Sequence, residues 1–86
     1  MHYVYIIYSE KIKKFYTGST NDLKRRISEH KGRHSDFTQQ VDDWTLVYYE
    51  AFCNKTDAME EEKFLKTGKG RERRTYLLKN FLENRK

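Results

Sequence analysis

Tyr5, Tyr16, Arg26, His30 and Glu62 are polar groups set into patterns that otherwise read as buried faces. Tyr5 and Tyr16 belong to two strand-like runs near the start of the chain, Tyr3-Val4-Tyr5 and Tyr16-Thr17-Gly18. Wound as a helix, Leu23, Arg26, Ile27 and His30 share one stripe, while Arg25 and Glu29 point elsewhere. A second helical stripe carries Ala58, Glu62 and Leu65 with Met59 at its flank; Glu60 points away and Glu61 sits at the margin. Polar groups in such places cost stability unless something satisfies or uses them. Used together, the set points to phosphodiester chemistry on nucleic acid. Two blander arrangements stay open: Glu62 paired with Arg26 as a partly buried ion pair, and core tyrosines whose hydroxyls are satisfied at the rim.

The elements that must position these residues follow from pattern and punctuation. Tyr3 to Tyr8 is β-rich with no polar break, as in a central strand covered on both faces. Period two puts Tyr3, Tyr5 and Ile7 on one face and Val4, Ile6 and Tyr8 on the other. Ser9 to Lys14 is turn-like, and Phe15-Tyr16-Thr17-Gly18 resumes the strand, giving a hairpin with a loop longer than the tight two-residue type. Asn21 or Asp22 caps a helix from about Leu23 to Lys31 that ends at Gly32. Arg33 to Asp43 reads as irregular, and Trp44 to Phe52 as a third strand. Asn54 with Asp57 opens a second helix to about Lys66, Thr67-Gly68-Lys69-Gly70 breaks it, and a last helix runs from about Arg71 to Glu83. The expected fold is α+β, a three-stranded antiparallel sheet flanked by helices in the order β-β-α-β-α-α.

Composition bounds the rest. The 86 residues predict one domain, 1–86, with a thin core. Aromatics at 15% argue for a folded chain despite 36% hydrophobic content. A formal net charge of +5 favours a polyanion partner. No apolar run approaches membrane-spanning length, so no membrane partner is expected. The chain enters strand chemistry at once, predicting no signal peptide, and the lone Cys53 fits a reducing, cytoplasmic setting. Cys53 reads as a small packing residue near a strand end, and no Cys/His spacing suggests zinc.

Tyr3-Val4-Tyr5, Tyr16-Thr17-Gly18, Asn21-Asp22-Leu23…Arg26…His30 and Ala58…Glu62…Lys66, in that order, resemble the GIY-YIG nuclease domain. The likeness spans roughly Tyr3 to Lys79 and is greatest to small bacterial members related to the nuclease half of the excision-repair subunit UvrC. Tyr3 stands where glycine is usual and Thr17 where isoleucine is, but both tyrosines and Gly18 are kept. Asn80 lies further beyond Glu62 than the family's late asparagine would, and is not counted in the site.

The resemblance implies a metal-dependent DNA endonuclease, in repair or processing. Glu62 would hold one Mg2+ or Mn2+, and Arg26 would grip a phosphate oxygen with its forked donors. Tyr5 is the candidate general base, Tyr16 would orient water or phosphate, and His30 would accept or relay the proton. Lys63, Lys66, Lys69, Arg71, Arg73 and Arg74 are candidate DNA contacts, with Gly68 and Gly70 allowing close backbone approach to phosphate; a solvated basic helix junction is the alternative. Targeting would come from DNA shape, a protein partner or self-association. Two other functions fit the same fold: a nucleic-acid-binding module stacking bases on its tyrosines, and a regulatory protein without turnover.

Overall fold

A computed structural model describes residues 1–32 and 40–84. Strands β1 (His2–Ser9), β2 (Lys14–Thr20) and β3 (Thr45–Phe52) form one antiparallel sheet in the order β2-β1-β3. The unbroken apolar run thus takes the central place. Val4, Tyr5, Ile6 and Ile7 are all buried because both faces of β1 are covered. Helices α1 (Leu23–Lys31), α2 (Lys55–Leu65), α3 (Gly68–Leu77) and α4 (Lys79–Glu83) complete the described fold. Among the described residues no helix is long and apolar enough to cross a membrane.

The two faces have separate cores. Tyr5, Ile7, Val41 and Trp44 pack with Leu23 and Ile27 of α1 on one side. Val4, Ala58 and Leu65 pack with Phe52 on the other, which is the α2 side. The hairpin register runs from Tyr3 opposite Thr20 to Ser9 opposite Lys14, leaving a four-residue loop, Glu10 to Lys13. That loop is latched across the molecule. The Ser9 hydroxyl donates to Asp43 Oδ1 at 2.6 Å and the Lys11 amide to Oδ2 at 2.9 Å. These bonds, Ser9's first, hold the Asp43 carboxyl below its ordinary range.

Local signals set the helix starts. Asp22 caps α1 by accepting from the Arg25 amide at 3.1 Å, and Asn54 caps α2 by accepting from the Thr56 amide at 2.8 Å. The expected single helix from Arg71 to Glu83 is two helices, broken at buried Leu78, whose φ of −111° and ψ of 17° leave the helical region. Leu77, Leu78, Phe81 and Leu82 read as one stripe with or without that break, so periodicity cannot detect it. Past the break, Phe81 meets the Tyr8 ring at 5.6 Å. The helix also starts earlier than expected, because Thr67 caps it by accepting from the Gly70 amide at 3.1 Å. The irregular segment expected from Arg33 to Asp43 falls in part, 33–39, outside the described residues. Cys53 is exposed after β3 rather than packed.

Candidate functional site

Tyr5 lies opposite Gly18 on the neighbouring strand, and Tyr16 lies opposite Ile7 on the same face. The phenol of Tyr5 extends over the space that a side chain at position 18 would fill. A Cβ there would stand 2.5 Å from the Tyr5 hydroxyl oxygen and 3.2 Å from the Tyr16 ring. Gly18 is therefore a seat for both rings, which gives the Tyr-Thr-Gly triplet a physical meaning.

Helix α1 lays its stripe over this seat. His30, fully buried in the last turn, places Nε2 2.7 Å from the Tyr5 hydroxyl. Its ring centroid is 5.6 Å from that of Tyr5 and 5.2 Å from that of Tyr16. One turn earlier, Arg26 brings its positive charge near enough to act on the same phenol. Burial pushes the Tyr5 phenol up to about 12, with Arg26 opposing and Tyr16 and Glu62 adding small upward pushes. Burial, then the Arg26 charge, pulls His30 down to about 4. Near pH 7 both partners are neutral. The phenol donates to Nε2 when the imidazole carries its own proton on Nδ1.

Arg26 does not pair with Glu62. Its Nη1 donates to Glu29 Oε1 at 2.9 Å, and that bond holds its pKa above the ordinary arginine value. Glu29, expected to point elsewhere, comes back because a long guanidinium side chain spans the i,i+3 distance on one helix. Glu62 is anchored from the opposite side of the sheet. Ser19, opposite Val4 and hence on the α2 side, donates to Glu62 Oε1 at 2.6 Å. Lys66, one turn along α2, donates to Oε2 at 2.8 Å. The Lys66 ammonium is also 6.0 Å from the Tyr16 ring centroid, so it neighbours both the carboxylate and that tyrosine.

The structure thus brings Tyr5, Tyr16, Arg26 and His30 into one cluster. Glu62 bonds Ser19 and Lys66 instead, and its charge adds only the last of the upward pushes on the Tyr5 phenol. Ser19 and Glu29 were missed by sequence reasoning. Ser19 had a usable signal, since period two puts it on the same face as Thr17, beneath α2. Glu29 had only its spacing from Arg26.

The proposed DNA contacts divide. Lys63, Lys69 and Arg71 are exposed, whereas Lys66 is held by Glu62, and Arg73 Nη2 lies 3.9 Å from Glu50 Oε2. Arg74 is half-buried with its guanidinium 4.7 Å from the Phe15 ring centre, and burial lowers its pKa. Its guanidinium is engaged in packing against Phe15 of β2. Gly70 is likewise no phosphate seat. A Cβ there would collide with the Phe64 carbonyl oxygen and Leu65 Cα, so its bareness serves the approach of α3 to α2. Gly68 has open space around it.

A phenol seated on glycine beneath an arginine- and histidine-bearing helix, with a carboxylate from a second helix, defines a class that sequence comparison also recovers. The GIY-YIG catalytic domain matches residues 1–76, and the chain belongs to that family. The chain is 36% identical over 66 residues to the UPF0213 protein OB0043 of Oceanobacillus iheyensis, covering 76% of each. It is 40% identical over 67 residues to the UPF0213 protein CPE1444 of Clostridium perfringens, covering 77% of this chain and 71% of that one. The solution structure of the UPF0213 protein BH0048 of Bacillus halodurans is similar at 34% identity and a TM-score of 0.55, covering 88% of this chain and 83% of that one.

Proposed function

We propose that this chain is a divalent-metal-dependent endonuclease that hydrolyses DNA phosphodiester bonds, acting in repair or processing. The observation that carries the reading is the Tyr5 phenol held at 2.7 Å from a neutral imidazole, with the Arg26 charge acting on the phenol. Such an arrangement suits a proton relay beside a phosphate. Water gives a proton to the Tyr5 oxygen as the phenol's own proton passes to His30 Nε2, leaving imidazolium and a hydroxide that attacks phosphorus. With the Tyr5 phenol pushed up and the His30 imidazole pulled down, a full transfer from phenol to imidazole is uphill in the free protein. A concerted relay avoids a free phenolate, and the arriving phosphate stabilises the imidazolium. Arg26, about one-third exposed, keeps guanidinium donors for a non-bridging oxygen.

The Glu62 corner fits one hard cation, Mg2+ or Mn2+. Its oxygens already accept a hydroxyl and an ammonium, so the corner is built to receive positive charge. Among the described residues no group of three or more His, Cys, Asp or Glu converges, so water and substrate phosphate would complete the shell. Bound there, the cation would neutralise phosphate charge and acidify water.

A second reading, a binding module without turnover, is favoured by the raised Tyr5 pKa. The test is incubation with nicked, branched, mismatched and single-stranded DNA in Mg2+ or Mn2+, with Glu62→Gln alongside. The nuclease reading expects nicking by the parent protein and a loss of at least roughly 100-fold in the variant, with DNA binding retained. Equal product from both proteins overturns the mechanism. Binding without cleavage by either favours the module.

A further inference from the structure

From the geometry we infer that Lys66 is an exchangeable counter-cation for Glu62: its ammonium occupies the carboxylate until a divalent cation displaces it, freeing it toward the phosphate side of the site. The inference rests on the reading of Glu62 as a cation holder. Three observations carry it. First, Ser19 donates to Oε1 at 2.6 Å, which holds that oxygen, and Oε2 is the oxygen left to the ammonium at 2.8 Å. Second, the pair is asymmetric in exposure: the Lys66 side chain is 51% exposed and that of Glu62 is 23%. The ammonium can therefore leave into water while the carboxylate stays anchored. Third, the ammonium lies 6.0 Å from the Tyr16 ring, on the side of the tyrosine cluster rather than out along the helix.

Chemistry favours the exchange. An i,i+4 Glu-to-Lys pair at a half-exposed site is weakly held, whereas a divalent cation brings twice the charge and can bind phosphate at the same time. Until then the ammonium offsets a carboxylate charge that adds to the upward push on the Tyr5 phenol. After exchange it remains tethered one helical turn away, a donor for a phosphate oxygen. Metal and DNA binding would then reinforce each other, because each uses what the other releases.

The test is an NMR titration with Mg2+ alone, at constant ionic strength, following the Glu62 side-chain carboxyl and the Lys66 ammonium. In the parent protein both signals should move with one midpoint. In Lys66→Met the Glu62 midpoint should fall roughly two- to fivefold, as expected on removing a competitor of this strength. A Glu62 signal that moves while Lys66 stays still, or a midpoint unchanged in Lys66→Met, overturns the exchange and leaves Glu62 as a cation holder. Neither signal moving overturns both. The Lys66 signal of the parent protein decides the matter even if the variant fails to fold.

Discussion

Gly18 shows how one residue is fixed by another that lies 13 positions away in sequence, opposite it on the sheet. The Tyr5 ring is 1% exposed and has no room to retreat, so any side chain at position 18 must push it. Gly18→Ala should cost about 1–3 kcal/mol of stability, read as a lower urea midpoint, by overpacking a filled site. Its effect on cleavage should be larger than the stability loss explains, because the displaced phenol loses its 2.7 Å bond to His30. Wild-type cleavage in a folded Gly18→Ala protein would refute the role given to the Tyr5–His30 contact. That Tyr5, Tyr16, Arg26 and His30 would lie together was legible from stripes and triplets. Their partners were not. Arg26 took Glu29 rather than Glu62, since helix neighbours reach each other before elements meet.

Between β3, α2 and α3 a second set of titrating groups meets, away from the tyrosine cluster. Glu61, at the stripe margin in sequence, is pushed up to about 7, first by the facing Glu50 carboxyl and then by burial, with Arg73 opposing. Tyr48 is pushed up to about 12 by burial and then by the same Glu50. Glu50 Oε1 is buried and has no donor while both carboxyls are ionised. A proton held by Glu61 supplies one. Because the folded pKa of Glu61 lies above its ordinary 4.5, the stability this proton confers is complete below 4.5 and lost as pH rises through about 7. His30 works in the opposite sense. Its pKa falls from 6.5 to about 4 on folding, so its contribution is present above 6.5 and lost as pH falls toward 4. Glu61→Gln isolates the first effect. The variant should melt about 5 °C above the parent at pH 8, for roughly 1 kcal/mol of relieved repulsion, and nearly together with it at pH 5. Calorimetric scans at the two pH values check this, and a constant offset would show that no proton is shared. The start of α2 was readable from Asn54, but the Thr67 cap of α3 was taken for part of a break, and the break at Leu78 was not readable, because both sides of it continue one apolar stripe.

Over the whole molecule, a net charge of +5 promises salt-sensitive DNA binding, but only part of that charge is available. Lys63, Lys69 and Arg71 are exposed, while Arg74 is committed to Phe15. Replacing Lys69 or Arg71 with Gln should lower the slope of log affinity against log salt by about 1 each. Arg74→Gln should leave that slope unchanged and lower the melting temperature instead. Anisotropy titrations across a range of salt, paired with melting curves, separate the two, and a reduced slope for Arg74→Gln would return it to the DNA surface.

Strand alternation, helical stripes, the caps at Asp22 and Asn54 and the tyrosine triplets were determined by the sequence, because each depends on neighbours a few residues away. The α+β sheet followed from them, since the unbroken apolar run of β1 needs cover on both faces. Only the tertiary structure decided that Ser19 anchors Glu62 across 43 residues, that Asp43 latches the hairpin, that Glu61 faces Glu50 and that Gly70 serves helix packing rather than phosphate. A side chain's hydrogen-bond partner is chosen by distance in space, and that distance exists only once the helices have closed on the sheet.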